Sequence, residues 1–207
     1  MAGIDKVWAS LGSHPLVWHS LSQLAPAACE TVLVVRADMV NRAQEELHAD
    51  FPDLVVVDGG SDRRESVANG LAVLQGAEII AVHDAARPFG NARMMREGRA
   101  LLAAYHGAVP VTPIHDTIKC VSLDGMVVET VDRASLRAVQ TPQVFRADAL
   151  RAAHRGWQCA AESTDDAGLL EANGYQVATF SGDILNIKVT TAEDLMLAHY
   201  LLSRRKS

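Results

Sequence analysis

Leu54-Val-Val-Val-Asp58-Gly59-Gly60-Ser61-Asp62-Arg63-Arg64-Glu65-Ser66 is the stretch on which the fold turns. An unbroken apolar run stops at a glycine pair, and residues with helical spacing follow over 66–74. A strand that is apolar throughout, without alternation, is one covered on both faces, as in a sheet flanked by helices. The same grammar recurs along the chain. Valine- and isoleucine-rich runs stand at 31–35, 54–57, 78–83 and 108–111, and helical periodicity occupies 15–24, 39–48, 66–74, 92–105, 147–157, 164–172 and 192–202. Strand alternating with helix predicts an α/β domain of parallel strands joined by crossover helices, and 207 residues suit one such domain.

Composition narrows the function classes. With 49% hydrophobic and 21% charged residues the chain folds instead of staying disordered. A net charge of −6, from 25 acids against 19 bases, argues against nucleic-acid binding by broad phosphate neutralisation and leaves room for a local basic pocket. No apolar run approaches the roughly 20 residues needed to cross a bilayer, and no basic-then-apolar leader opens the chain, so a cytoplasmic protein without membrane contact is expected. Cys29, Cys120 and Cys159 are odd in number and widely spaced, which predicts reduced, structural thiols. The eight histidines show no ligand spacing, and G-x-S-x-G, Walker A, G-x-G-x-x-G and H-E-x-x-H motifs are absent.

Three local signals refine the elements. Ser163 with Asp166, and Thr191 with Asp194, read as capping boxes opening two helices, the first of which Gly174 ends. Two β-prone runs at 117–121 and 126–131 surround Leu123-Asp124-Gly125, a hairpin signature. That hairpin either projects as an arm toward a second copy of the chain or adds an antiparallel edge to the main sheet.

Five polar segments carry candidate chemistry, each with an ordinary structural alternative. At Asp58–Ser66 the glycines bring backbone N–H groups and a helix N-terminus toward an anion, with Arg63 and Ser66 in reach of a nucleotide; otherwise this is a plain strand-to-helix turn. His83-Asp84-Ala-Ala-Arg87-Pro88 lies at the carboxyl end of a strand, where open α/β sheets bind ligands, so Asp84 suits Mg²⁺ or a hydroxyl and Arg87 a phosphate, or the two simply pair. Between Arg133 and Phe145, Gln140-Thr141-Pro142-Gln143 forms a loop whose polar groups serve either a ligand or the turn itself. Lys188, within a predicted strand at 186–191, needs a phosphate partner if buried and none if it points to solvent. Asp5-Lys6 alone reads as an exposed pair.

Taken together and in this order, Gly59-Gly60-Ser-Asp-Arg63-Arg-Glu-Ser66-Val-Ala-Asn69-Gly70-Leu, Val82-His-Asp84-Ala-Ala-Arg87-Pro88, Asp116-Thr117-Ile-Lys119, Arg133 with Gln140-Thr141-Pro-Gln143, Thr164-Asp-Asp166-Ala and Asn186-Ile-Lys188-Val-Thr190 resemble the 2-C-methyl-D-erythritol 4-phosphate cytidylyltransferases. The resemblance spans the chain from about residue 5 onward. It implies a Rossmann-like nucleotidyltransferase sheet with a projecting β-arm at about 117–133, a homodimer through that arm, and transfer of CMP from CTP to a sugar-alcohol phosphate. It further implies that Lys6 contacts the triphosphate and that Gly60, Arg63, Ser66 and Asp84 bind the nucleotide. Asp84, Arg87, Thr117, Arg133, Thr141 and Lys188 would line the polyol phosphate, with Thr117 and Arg133 reaching the neighbouring subunit's site. A related polyol phosphate such as ribitol 5-phosphate is the nearest rival substrate, and an impaired dimeric nucleotide-binding module the rival from another class.

The chemistry suits these residue types. A phosphate monoester, largely dianionic above its second pKa of about 6, needs no strong base to attack phosphorus. Lys6, Arg133 and Lys188, as the catalytic cations, with Mg²⁺ on the triphosphate and at most Asp84 beside it, would offset the repulsion between two anions. Members of the resembled family open with a strand and a glycine-rich loop before the matched lysine, whereas this chain begins Met1-Ala-Gly-Ile-Asp-Lys6. A gap in the middle of the sheet and weakened CTP binding are therefore expected.

Overall fold

The computed structural model describes residues 6–156 and 164–205. After a 3-10 turn at Lys6–Trp8, the elements run β1 (Ser10–Leu11), β2 (His14–Pro15), α1 (Leu16–Leu24), β3 (Val32–Val35), α2 (Val40–Leu47), β4 (Val55–Asp58), α3 (Arg63–Val73), β5 (Ile79–Val82), α4 (Ala92–Leu101) and β6 (Gly107–Pro113). Then follow β7 (Ile118–Val121), β8 (Val127–Val131), β9 (Arg137–Val139), β10 (Gln143–Arg146), α5 (Ala147–Arg155), α6 (Asp166–Ala172), β11 (Val177–Ser181) and α7 (Ala192–Arg205).

The sheet comes as two ladders. β3 and β4 pair in parallel, from Val32 opposite Val55 to Val35 opposite Asp58. The larger ladder has the order β11-β6-β10-β5, with β9 on the far end of β6. Here the all-parallel expectation fails. β11 is parallel to β6, but β10 runs antiparallel to both β5 and β6, and β9 is antiparallel to β6. The sequence predicts a loop over Gln140–Gln143 because Thr-Pro-Gln breaks regular structure, yet Gln143 already opens β10, whose Gln143, Val144 and Phe145 are buried.

Both faces of this ladder are covered, which is why its strands are apolar throughout. Phe145 packs with Leu71, Leu150, Leu169 and Leu170 under α3, α5 and α6. Val144 points the other way, to Leu102 and Ala108. Trp8, Val17, Leu21, Leu33, Val35 and Leu47 make a second cluster around β3, with Ala85 against it. Helix α3 serves both ladders: Leu71 joins the larger core, while Gly70 lies against Val34 of β3.

Helix boundaries moved for local reasons. α3 starts at Arg63, before the expected Ser66, because the Asp62 carboxylate accepts the Glu65 N–H and caps the helix there. α6 is capped by Asp165, whose side chain accepts from Gly168 N; Ser163, expected in that role, lies outside the described residues, as do Asp5, Trp157 and Cys159. The box at α7 forms as expected, with Asp194 accepting from Thr191 N and Thr191 Oγ accepting from Asp194 N. α4 ends at Leu101, short of Tyr105. The segment 186–191 pairs in no ladder among the described residues, so Lys188 is not a strand residue. Cys29 and Cys120 are free and exposed, not parts of the core.

The hairpin is a two-stranded unit of its own, not an edge of the main sheet. β7 pairs only with β8, and Gly125 sits at φ +84°, the left-handed region its turn demands. Val121, Leu123, Met126, Val127 and Val128 are exposed along it.

Candidate active site

The turn after β5 is the hub. His83 is partly buried, and its ring is locked by partners on both sides: Nε2 lies 3.0 Å from the Arg87 carbonyl and Nδ1 3.0 Å from Thr141 Oγ1. A carbonyl can only accept, so Nε2 carries the proton and Nδ1 accepts from the Thr141 hydroxyl. That hydroxyl oxygen accepts in turn from Asp84 N–H at 3.0 Å. Burial drives the His83 pKa down to about 4, only partly countered by its hydrogen bonds. The ring is therefore neutral near pH 7, as this pattern requires. Gly90 is needed beside it, because a Cβ there would come within 2.6 Å of the His83 ring.

Asp84, half buried, is surrounded by cations. Lys188 Nζ lies 2.8 Å from Oδ2, Arg87 Nε 3.8 Å from the same oxygen, and Arg63 Nε 4.0 Å from Oδ1. Burial alone would raise the Asp84 pKa, but Lys188, Arg63 and Arg87 together hold it below the ordinary carboxylate value. Burial lowers the Arg87 pKa, with Asp84 opposing. The segment carrying Lys188 is tied on by Arg87 Nη1 donating to Asn186 O, Asn186 Nδ2 to Thr141 O, and Val189 N to Ala86 O. Behind Arg63 stands Asp166, fully buried, with Oδ2 2.7 Å from Arg63 Nη2 and Oδ1 3.1 Å from His154 Nε2. Three cations thus face two carboxylates, a local excess of positive charge suited to phosphate.

The glycine loop does not offer the free donors expected of it. Gly60 N–H donates to Ser66 Oγ, which itself donates to Asp62 O. Ser61 N–H and Oγ both donate to the Glu65 carboxylate. Two side chains inside the motif, Ser66 and Glu65, thus take up the donors that the glycines alone seemed to leave open. A nucleotide is met here by Arg63, or by displacing these internal bonds.

Of the residues singled out in the sequence, Arg63, Asp84, Arg87 and Lys188 come together, with Gly60 on the adjoining loop and Ser66 in the first turn of α3. Thr141 is buried, and its hydroxyl serves His83 and Asp84, so it shapes the turn and does not present its proton to a ligand. Thr117 and Arg133 stand at the two feet of the arm, Arg133 donating to His115 O, and neither bonds to the Asp84 cluster. Lys6 is exposed, in the short turn that packs through Trp8 onto the β3 cluster. An open cleft of about 420 Å³, lined by Val111, Thr112, His115, Asp116, Ser181 and Ile184 among others, lies beside the arm's foot. His83, His154 and Asn186 were missed as site residues. His83 and Asn186 lay inside quoted motifs, but nothing in a linear pattern says which polar residue turns inward; His154 had no signal at all.

Among the described residues no three histidine, cysteine or acidic side chains gather as a cation site, and no helix is long and apolar enough to cross a membrane. The sequence profile of the family described as "IspD: 2-C-methyl-D-erythritol 4-phosphate cytidylyltransferase" matches residues 1–204. A protein of that name from Geobacillus thermodenitrificans is 40% identical, the alignment covering 99% of this chain and 91% of that protein. Its counterpart from Bacillus mycoides is 37% identical, over 99% and 92%. The crystal structure of 2-C-methyl-D-erythritol 4-phosphate cytidylyltransferase from Thermus thermophilus superposes with a TM-score of 0.80 at 30% identity, covering 96% of this chain and 94% of that one. That of 4-diphosphocytidyl-2C-methyl-D-erythritol synthase from Anaerococcus prevotii gives 0.86 at 26% identity, over 94% and 88%.

Proposed function

The chain belongs to the 2-C-methyl-D-erythritol 4-phosphate cytidylyltransferase family, and on that premise we propose that it performs its transfer at the rim cluster around Asp84. It is a nucleotidyltransferase that moves CMP from CTP to 2-C-methyl-D-erythritol 4-phosphate, forming 4-diphosphocytidyl-2-C-methyl-D-erythritol, an isoprenoid precursor, and pyrophosphate. A phosphate oxygen of the acceptor attacks the α-phosphorus; the bond from that phosphorus to the bridging oxygen breaks, and pyrophosphate leaves with the electron pair. The acceptor's phosphate is already ionised near neutral pH, so the protein's task is charge and position.

The observation that carries this assignment is the convergence of Arg63, Arg87 and Lys188 on one half-buried carboxylate at the end of β5. Asp84 holds the cations poised in the absence of substrate; phosphate oxygens take over part of that role on binding. Lys188 reaches the reacting phosphates, Arg87 the acceptor phosphate, Arg63 with Ser66 and Gly60 the nucleotide, and Lys6 the triphosphate. Mg²⁺ arrives on the triphosphate as part of the substrate. The donors here fit that role and not a resident ion, because the rim's one carboxylate between Arg63, Arg87 and Lys188 is already paired.

The working unit in this reading is a homodimer, each arm carrying Thr117 and Arg133 to the neighbour's rim. The exposed apolar side chains of the arm, unused within the chain, support it. Both substrates are charged, water-soluble metabolites, which supports a reaction in the cytoplasm.

Incubating the full chain with CTP, Mg²⁺ and the acceptor should release pyrophosphate and the cytidine-linked product in equal amounts. Lys188→Ala should lower kcat by about 10²–10³-fold, the range for losing one preorganised charge donor. Its melting temperature should hardly move, because the lysine is half exposed. Undiminished turnover in that variant would remove the reaction from this rim.

A further inference from the structure

Asp166 is the single carboxylate of the buried class among the described residues, and it lies behind the phosphate-facing groups, not among them. It is the first residue of α6, whose cap is the neighbouring Asp165, so capping does not account for it. Its Oδ1 is hydrogen-bonded by His154 Nε2 of α5, while Oδ2, which has no hydrogen bond among the described residues, stands in ion-pair contact 2.7 Å from Arg63 Nη2 of α3. His154 Nε2 carries the proton, since a carboxylate accepts only, and its Nδ1 has no hydrogen bond among the described residues. An ionised carboxylate enclosed in this way is stable only when paired.

Arg63 shows what the pairing achieves. Its side chain opens α3 and remains 38% exposed, so without a tether it would sample many rotamers in solvent. Asp166 holds one edge of the guanidinium at 2.7 Å, and the Nε edge stays turned to the rim, 4.0 Å from Asp84. We propose that Asp166, steadied by His154, is a positioning residue for the transfer: it presents Arg63 to the nucleotide ready-oriented, so that CTP does not bear the ordering cost. This rests on the reading of Arg63 as a nucleotide contact.

The test is steady-state kinetics of the full chain with CTP and the acceptor varied separately, on Asp166→Asn, Arg63→Gln and the double variant. D166N is expected to raise KM for CTP about tenfold, as for removing the charge that a close ion pair sets beside Arg63, while KM for the acceptor stays within about twofold. R63Q should raise KM for CTP at least as much, and adding D166N to it should change nothing further. A D166N protein that melts lower but keeps its KM for CTP marks a structural carboxylate and overturns the proposal alone. An R63Q protein with unchanged KM for CTP overturns the nucleotide reading of Arg63, and this proposal with it. If D166N does not fold, His154→Leu keeps Asp166 and removes its second holder; a rise in KM for CTP that vanishes in the R63Q background supports the proposal, and no rise overturns it.

Discussion

His83 and Asp84 are adjacent in the chain and titrate in separate windows, which makes the site's electrostatics testable one residue at a time. The His83 pKa falls from 6.5 to about 4 in the folded chain, so the unfolded chain binds more protons between those values. The stability of the neutral ring is complete above about pH 6.5, is lost as pH falls toward 4, and amounts to about 3 kcal/mol in all. Asp84 and Asp194, held below the ordinary carboxylate value, lose their contribution only below about pH 4. Denaturant unfolding of wild type and His83→Gln between pH 7 and 4.5 should therefore show the slope in wild type and a flatter line in the variant. Equal slopes would mean that the histidine is not locked neutral. Asp84 and Arg87 could be named as site candidates from their place after a strand. The lock itself could not, because its other half, Thr141, is 58 residues away in sequence.

The arm is the element whose role the chain's own contacts leave open. Met126 and Val128 are 66% and 70% exposed, apolar groups at the turn end of the hairpin, where the β7–β8 register shifts at a bulge. Met126→Asp with Val128→Asp should convert a dimer to a monomer in light scattering. The monomer's stability should change by no more than about 0.5 kcal/mol per site, as for surface positions. A mass already monomeric in wild type would exclude dimerisation through the arm. The hairpin was readable because Asp124-Gly125 between apolar runs is a short-range signal, satisfied by a few consecutive residues. The direction of β10 was not: Gln143-Val-Phe145 is apolar enough for either polarity, and only its neighbours β5 and β6 decide it.

For the whole molecule, the proposed exchange of arms makes a prediction that a self-contained site does not. In a mixture of Arg133→Ala and Lys188→Ala chains, each inactive alone, a heterodimer has one rim with both cations intact if Arg133 acts across the interface. Random exchange of subunits should then recover about a quarter of wild-type activity; if Arg133 serves its own chain, nothing is recovered. The strands β3, β4, β5 and β6 with the helices between them, the helix cap at Thr191 and the hairpin were determined by the sequence alone, because each depends on residues within a turn or two of one another, whereas β9, β10 and β11 were not read from it. The motif residues at the rim were legible too, as glycine turns and polar groups at strand ends. What the tertiary structure decided is which of those groups face a ligand and which face each other. The Gly59-Gly60-Ser61 turn spends its donors on Glu65 and Ser66 of α3, Thr141 turns to His83, and Asp166 backs Arg63. Such pairings depend on burial and distance between segments far apart in the chain, which a one-dimensional pattern does not encode.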